Sequence, residues 1–453
     1  MKDLTQGSVV RTILAMAIPV AASMLFQTLY LLVDLYFVAA IGDDAVAGVG
    51  TAGTLMFMIM ALTQVLGVST VAMISQAVGR KERDSANLVF NQSLVLASLC
   101  ALVTLVLGYT LGDKYLANIA ADAGALEQGS IFLRWFLPAM AFQFLIIAMA
   151  SALRATGIVK PAMLVQVLTV ILNIILAPIL IAGWGPGPAL GVLGAALATT
   201  ISSIVGFVLL VLYFIKLEKY VVIQPESWRP RLDIWRKMFD IGLPAGGEML
   251  LLFVYFSAVY FLIQDFGSTA QAGFSIGGRV MQSIFMPTMA IAFAVGPIVG
   301  QCFGASHPAR VKETYYKGIL LSSAVMLTVT LVLQWNPGLL TNFFTDDAEV
   351  AQVAAVFLQI VSWNFITQGI VFTSSGVFQG LGNTRPALLS SILRIAVFVP
   401  LASLASGRAN YQIEHIWYVS VISVVLQACF SVYLVRREFA LRFGDVEEVV
   451  TAD

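Results

Sequence analysis

The sequence predicts an all-α polytopic membrane protein with twelve transmembrane helices in two pseudo-symmetric six-helix bundles around a central cleft. Three observations predict this fold: an apolar composition, twelve long apolar stretches and an internal repeat. Of the 453 residues, 59% are hydrophobic and 11% are charged, and the mean hydropathy is +0.90. This balance is too apolar for a water-soluble protein of this length, so a lipid bilayer is the expected solvent.

Charge and cysteine content argue against several other classes. Lys plus Arg and Asp plus Glu number 25 each, so no charge excess indicates a nucleic-acid partner. Cys100, Cys302 and Cys429 lie far apart in apolar runs and the chain has two histidines, so we expect no disulfide framework, metal site or cofactor. The apolar run that follows Lys2 and Arg11 is longer than a signal-peptide core, which indicates a retained first span.

Each predicted span holds the roughly 20 apolar residues that a membrane-crossing helix requires. Twenty of the 25 basic residues fall on one side of the resulting pattern, three on the other, and Arg279 and Arg394 inside spans. Because cytoplasmic loops carry the excess of Lys and Arg, we expect a multi-pass protein of the bacterial inner membrane with both termini cytoplasmic. The spans lie at about 13–40, 47–78, 88–112, 131–153, 162–183, 190–215, 238–265, 272–303, 317–336, 352–378, 386–406 and 413–435.

An internal repeat divides the chain into halves. The segment around Gly42 resembles the segment around Gly267. We call the difference between these two residue numbers the repeat offset. Six spans in each copy give both copies the same orientation. We therefore predict an N-terminal bundle at 1–215, a cytoplasmic linker at 216–237 and a C-terminal bundle at 238–453, with substrate bound between halves that rock to alternate access. The same offset also pairs Pro19 with Pro244, Gln76 with Gln301, Gln143 with Gln368 and Gly157 with Gly382.

Several motifs, in this order and with twelve spans, resemble the multidrug and toxic compound extrusion (MATE) family over nearly the whole chain. The spacing of Pro19 and Asp34, together with Asn173, is most similar to the DinF-like branch. The resemblance implies export of amphipathic, often cationic compounds in exchange for protons or sodium ions. The motifs are Ala17-Ile18-Pro19 with Asp34, Ile41-Gly42 through Ala47-Gly48, Leu153-Arg154-Ala155-Thr156-Gly157 with Lys160-Pro161, Gln301-Cys302-Phe303-Gly304-Ala305, and Gln379-Gly380-Leu381-Gly382-Asn383-Thr384 with Arg385-Pro386.

Two positions depart from the patterns of that family. Ala177 stands where the DinF-type pattern has an aspartate, and Leu252 stands where the NorM-type pattern has an acid, with Glu248 one turn earlier. The tenth span has no acid. Few oxygen ligands therefore remain for sodium, which favours protons, although both ions stay open.

Asp34 is the first candidate for ion coupling, because a carboxylate inside a span is costly and such residues are commonly functional. Tyr30 and Gln27 precede it by four and seven residues and share its helix face. Asn173, which forms a polar stripe of the fifth span with Gln166 and Thr169, is expected to oppose them. We predict that Asp34, Tyr30, Gln27 and Asn173 couple ion movement to transport; the alternative is a static, hydrogen-bonded interior carboxyl.

Charged residues in the second half allow more than one interpretation. Glu248 could bind a cationic substrate, assist coupling or close a gate, or it could be an interfacial acid balanced by Arg236 or Lys237. Arg279 and Arg394 are expected to be buried and therefore paired in structural roles. Asp265 is a candidate partner for Arg279.

Soft and aromatic side chains provide a deformable wall for apolar cations. Pro19 and Pro244 interrupt equivalent helices and are predicted to act as kinks that can become hinges, or as fixed bends. The predicted residues of the substrate cleft are Glu248, Met60, Gln64, Tyr255, Met281 and Trp363.

Two other functions fit the sequence less well. A flippase for a lipid-linked precursor would need several cations for the phosphates of its cargo, and only Arg279 and Arg394 are available. An intramembrane transferase would need clustered acids or a nucleophile with a base, and His307 and His415 lie in or near loops. We expect a monomeric secondary transporter of small amphipathic molecules that is not an enzyme.

Overall fold

A computed structural model describes residues 1–119, 122–184, 188–336, 347–406 and 411–444. Two short 3₁₀ turns lie at Pro225–Trp228 and Gln264–Phe266. The helices are α1 Val9–Ala39, α2 Asp43–Gly79, α3 Arg83–Ile119, α4 Ala123–Ala155, α5 Lys160–Ala182, α6 Val192–Lys216, α7 Leu232–Ile263, α8 Ser268–Gly304, α9 Pro308–Trp335, α10 Ala348–Val361, α11 Asn364–Leu381, α12 Arg385–Ser406 and α13 Ile413–Phe443.

Within the described ranges, eleven helices are long and apolar enough to cross a membrane, and the pair α10 and α11 brings the number to twelve. The predicted all-α fold with twelve spans is thereby confirmed. The tenth span differs from the continuous stretch expected at 352–378, because α10 and α11 meet at an angle of 61°.

Side chains of α9 stabilise the break in the tenth span. Thr330 donates a hydrogen bond to the carbonyl oxygen of Ser362 at 2.9 Å, and Gln334 donates to the carbonyl oxygen of Gln359 at 2.7 Å and to the Ser362 hydroxyl at 2.9 Å. A bend frees main-chain carbonyl groups that lipid cannot satisfy. The two polar side chains of α9 supply the missing partners, so the bend is a built feature of this span.

Two compact units divide the chain. Unit 1 comprises Met1–Asp3 and Ala22–Gly246, and unit 2 comprises Leu4–Ala21 and Gly247–Asp453. The start of α1 therefore belongs to unit 2 and its end to unit 1, whereas α7 starts in unit 1 and ends in unit 2. The predicted bundle boundaries at 215/216 and 237/238 remain a prediction.

Repeated backbone turns show the internal symmetry directly. Lys81 and Ser306 both have a positive φ, at 62° and 58°, in the turn that follows the second helix of each copy. Gly157 and Gly382, at 77° and 72°, end α4 and α11 in the same left-handed conformation, which glycine adopts without steric cost. Each of these pairs is separated by the repeat offset that relates Gly42 to Gly267.

Small residues bring helices close together inside each unit. A Cβ atom on Gly48 of α2 would lie 2.6 Å from the main-chain nitrogen of Gly129 in α4. In unit 2, a Cβ atom on Gly376 of α11 would lie 2.6 Å from the carbonyl oxygen of Ala292 in α8. Lipid provides no hydrophobic drive for helix association, so such close backbone packing holds the bundles together.

The linker before α7 is bound along α3 within unit 1. Polar side chains of α3, most of them one helical turn apart, pair with main-chain groups of the linker, as a neighbouring strand would. Because of this pairing the linker is an ordered part of unit 1. Side-chain nitrogens donate to main-chain oxygens from Arg83 to Tyr220 (3.1 Å), from Asn87 to Tyr220 (3.1 Å), from Asn91 to Val222 (2.9 Å), and from Gln92 to Ser227 (2.7 Å) and Arg229 (2.8 Å). Main-chain nitrogens donate to side-chain oxygens from Val222 to Asn87 (2.7 Å), from Gln224 to Asn91 (2.8 Å) and from Arg231 to Gln92 (2.9 Å).

The segment before α1 is bound in a similar manner in unit 2. Arg310 of α9 donates to the carbonyl oxygens of Leu4 (3.3 Å), Gln6 (2.9 Å) and Gly7 (2.9 Å). The Leu4 nitrogen donates to the Gln301 side chain at 3.0 Å, and Leu4 itself is buried. Side chains therefore hold the segments that precede α1 and α7, the two helices that pass from one unit to the other.

Candidate functional site

The polar site of unit 1 lies where α1, α5 and α6 meet. The Tyr30 hydroxyl and the Thr199 hydroxyl are 2.9 Å apart, and the Asn173 amide donates to Thr199 at 3.3 Å. Asp34, one turn after Tyr30 on α1, interacts electrostatically with the tyrosine. The structure thus brings together three of the four predicted coupling residues and adds Thr199, which composition alone does not separate from other span hydroxyls.

Two oxygens of this site are buried and unsatisfied. Asp34 is 8% exposed and Asn173 is 2% exposed. Within the described ranges, neither Oδ1 of Asp34 nor Oδ1 of Asn173 has a hydrogen-bond partner. Since buried polar oxygens are normally paired, both are acceptors available to a proton or a cation. Ala177, one turn after Asn173, is fully buried and adds no oxygen ligand from its side chain.

Gln27 and the two prolines lie elsewhere. Gln27 occupies an exposed position of α1, apart from these hydrogen bonds. Pro19 and Pro244 lie inside α1 and α7. Each proline lies two residues before its helix passes from one unit to the other, which happens after Ala21 in α1 and after Gly246 in α7.

A cavity of about 80 Å³ lies among α4, α5 and α6 of unit 1. Gln143, Gln166, Thr169 and Ser203 give it a polar lining. Gly206 provides part of the room, because a Cβ atom there would lie 2.7 Å from Cγ2 of Thr169. Gln166 and Thr169 of the predicted polar stripe therefore face this cavity, while Asn173 joins the Asp34 site. A cavity of this volume and polarity can hold a few water molecules.

Glu248 is the central group of a second polar site, in unit 2. Ser375 of α11 donates a hydrogen bond to its carboxylate at 2.9 Å, and Gln379 donates to Ser375 at 3.3 Å. The ion pairs of the described residues do not include Glu248, so the balancing role considered for Arg236 or Lys237 has no support in the structure.

Tyr255 and Arg394 form the next polar contact in unit 2. The guanidinium carbon of Arg394 lies 3.9 Å from the centre of the Tyr255 ring, and its Nη1 is 3.5 Å from Oε1 of Gln368. The Tyr255 hydroxyl is 2.6 Å from the Ser420 hydroxyl. Tyr255 corresponds to Tyr30 in the repeat, and each of the two tyrosines bonds a hydroxyl on the sixth span of its own copy.

The expectation for Arg279 was wrong. Its side chain is exposed, and in the described part of the chain it forms no ion pair with Asp265 or another acid within 4 Å. Arg394 is partly buried as expected, but aromatic and amide groups take the place of the acidic partner. The physical reason is that a long arginine side chain can stack its planar group on an aromatic ring.

The other predicted cleft residues divide between the units. Met60 is exposed and Gln64 partly buried, both on α2 of unit 1. Met281 belongs with Tyr255 to the buried aromatic core of unit 2. Trp363 lies at the break between α10 and α11 and is 61% exposed.

An all-helical membrane protein of two repeats, with polar sites inside the spans of each, has the architecture of a secondary transporter. The MatE family profile matches residues 19–179 and again residues 244–404. The second match is displaced from the first by the repeat offset, at its start and at its end. The chain therefore belongs to the MATE family, whose members are transporters and not enzymes.

Known relatives align over nearly the full chain. It is 27% identical over 438 residues to the probable multidrug resistance protein YoeA of Bacillus subtilis, which covers 95% of this chain and 94% of the relative. It is 24% identical to the multidrug export protein MepA of Staphylococcus aureus, with 98% of each chain covered. A solved outward-facing MATE transporter has 24% identity and a TM-score of 0.91 over 97% of this chain and 98% of that one.

Proposed function

We propose that this protein is a multidrug efflux antiporter of the bacterial inner membrane that exports amphipathic cations in exchange for protons. The observation that carries the proposal is the buried Asp34 carboxylate, whose Oδ1 has no partner among the described residues. One turn before it on α1, Tyr30 bonds Thr199, which also accepts a hydrogen bond from Asn173. The names of YoeA and MepA support drug export as the task.

A proton is the preferred coupling ion because Asp34 is the one carboxylate in this set of four residues. Loading a proton neutralises a charge that is expensive inside a membrane, and releasing it restores that charge. Sodium would require several oxygen ligands around a preformed cavity, and the alanine at position 177 removes one of those the DinF-like pattern supplies. The assignment to that branch remains a prediction.

Alternating access is proposed to use α1 and α7 as hinged elements. Both helices pass from one unit to the other two residues after a proline, at equivalent positions of the repeat. A proline removes one main-chain hydrogen bond and lets a helix bend at that point. In this proposal, both termini are cytoplasmic, the protein works as a monomer, and substrate meets the exposed side chains of Met60 and Trp363.

The proposal is tested by transport of ethidium into inverted proteoliposomes under an imposed proton gradient. We expect Asp34→Asn to abolish gradient-driven uptake, because the amide can neither gain nor lose the proton. Asp265→Asn, which removes an exposed carboxylate, serves as the matched control and should transport normally. Coupled transport by Asp34→Asn at the wild-type rate would overturn the proposal, and uptake driven by sodium at constant pH would replace the proton with sodium.

A further inference from the structure

Two charged side chains inside the spans of unit 2 contact neutral groups in place of a counterion. Glu248 of α7 and Arg394 of α12 are both absent from the ion pairs within 4 Å in the described part of the chain. Each is held by neutral groups: Ser375 binds the carboxylate, and Tyr255 and Gln368 contact the guanidinium. Charges inside a membrane are costly and usually paired or functional.

The spacing of the two charges follows from helix geometry. Along α7, Tyr255 lies seven residues after Glu248, and along α11, Gln368 lies seven residues before Ser375. Seven residues correspond to about 10 Å along a helix axis. Both helices therefore place the Glu248 contact and the Arg394 contact about 10 Å apart. This distance is too long for an ion pair between them, so each charge is open to a separate group of one ligand.

Arg394 retains most of its hydrogen-bonding capacity. A guanidinium has five N–H donors, and within the described ranges the acceptor that it contacts is Gln368, at 3.5 Å. Its Nε is buried and has no partner among the described residues. The face of the group rests on Tyr255, so a ligand would meet its edge, which matches a carboxylate in two parallel hydrogen bonds. The hydroxyl contact of Tyr255 with Ser420 holds the ring in place.

An apolar residue separates the two charges. Leu252 lies four residues after Glu248 and three before Tyr255, which places it on the same face of α7. Its side chain is 42% exposed. Along this face of α7, Glu248 is followed by the exposed Leu252 and then by Tyr255, against whose ring the Arg394 guanidinium packs.

The charges are particular to the second copy of the repeat. At the equivalent positions of unit 1, one repeat offset earlier, Ser23 replaces Glu248 and Thr169 replaces Arg394. Thr169 lines the neutral polar cavity of that unit. The scaffold therefore does not require an arginine at this place, and a purely architectural need would apply to both copies.

We propose that unit 2 binds zwitterionic amphiphiles, with the cationic group of the molecule at Glu248, its apolar body over Leu252 and its carboxylate at Arg394. The inference rests on the proposed export function and narrows its substrate class. Arg394 is then a specificity-determining residue for an anionic group, which also explains why a cation exporter tolerates an unneutralised arginine.

Two dyes that differ by one methyl group test the inference. Rhodamine 110 carries a free carboxylate and a delocalised cation, and rhodamine 123 is its methyl ester, which keeps the cation alone. Binding of each dye to the purified full-length protein is measured by fluorescence polarisation. We expect the wild type to bind rhodamine 110 more tightly than rhodamine 123, and Arg394→Gln to reduce that preference about tenfold, as expected for loss of a charge-assisted hydrogen bond.

Controls separate recognition from structural damage. Arg279→Gln removes an exposed arginine from the same unit and should leave the ratio of the two dissociation constants at its wild-type value. Arg394→Lys keeps the charge without the planar fork and should give an intermediate ratio. Wild-type protein that binds rhodamine 123 as tightly as rhodamine 110, or that binds neither dye, overturns the inference even if Arg394→Gln does not fold. An unchanged ratio in folded Arg394→Gln also overturns it.

Failure of the proposed function gives a different result. Because the measurement is equilibrium binding, it does not depend on ion coupling. A preference for rhodamine 110 that Arg394→Gln removes, together with no gradient-driven ethidium uptake by the wild type, would uphold this site and refute proton-coupled export.

Discussion

Replacement of Asn91 by alanine is predicted to release the linker from α3. The side chain of Asn91 is fully buried. Its amide donates to the Val222 oxygen at 2.9 Å, and its carbonyl oxygen accepts from the Gln224 nitrogen at 2.8 Å and from Nε1 of Trp228 at 3.1 Å. Alanine removes these three bonds to the linker, together with a bond from the amide to the Asn87 oxygen of α3 itself, and keeps the helical preference of α3.

The size of the effect follows from these three bonds. A typical intramolecular hydrogen bond contributes about 1 kcal/mol net, so the linker loses roughly 3 kcal/mol of local stabilisation. The freed groups lie in a partly exposed segment and can bind water, so no further penalty for unsatisfied groups is added. Each 1.4 kcal/mol corresponds to a factor of ten, and the opening equilibrium of the linker should rise about a hundredfold.

Hydrogen exchange followed by mass spectrometry measures this opening directly. Peptides covering residues 218–231 should exchange much faster in Asn91→Ala, while the rest of α3 stays protected. Asn118→Ala is the matched control, because Asn118 lies on the same helix and donates to the Lys114 oxygen of its own helix. Linker protection equal to that of the wild type in Asn91→Ala would refute the view that α3 holds this segment.

Two further predictions concern packing in unit 2. Arg310→Gln should speed hydrogen exchange at residues 4–7, because that segment loses its charged hydrogen bonds to α9; unchanged exchange would contradict this. Gly376→Ala should lower the free energy of unfolding by about 1–3 kcal/mol, since the added methyl group meets the main-chain oxygen of Ala292. Gly278→Ala, with no neighbour within 4 Å, should unfold thermally at or above the wild-type temperature, and a similar loss in both variants would refute the packing argument.

Much of the fold could be predicted because it depends on local properties of the chain. A span requires a run of apolar residues, and the bilayer makes that run visible without any knowledge of its neighbours. The repeat was equally accessible, since turn residues such as Gly157 and Gly382 recur at one offset. The break at Ser362 was missed because its cause lies in Thr330 and Gln334 of another helix.

The candidate sites divide in the same manner. Asp34 and Tyr30 share a face by simple helical spacing, so their association was predictable. Thr199 was missed because the sixth span also carries Thr200, Ser202 and Ser203, and nothing in the sequence singles out one of these hydroxyl groups. The pairing of Arg279 with Asp265 failed because proximity in sequence does not set the direction of a long side chain.

By itself, the sequence determined that this protein lies in a bilayer, how many spans it has and where they lie, and that it is made of two repeats. Each of these features depends on residues that are close together in the chain or that recur at one constant spacing. The tertiary structure alone decided that α1 and α7 each pass from one unit to the other, that α3 holds the linker, and that Glu248 and Arg394 have no counterion in the part of the chain that the structure describes. Those features depend on side-chain contacts between segments that are far apart in the chain, and local composition does not determine such contacts.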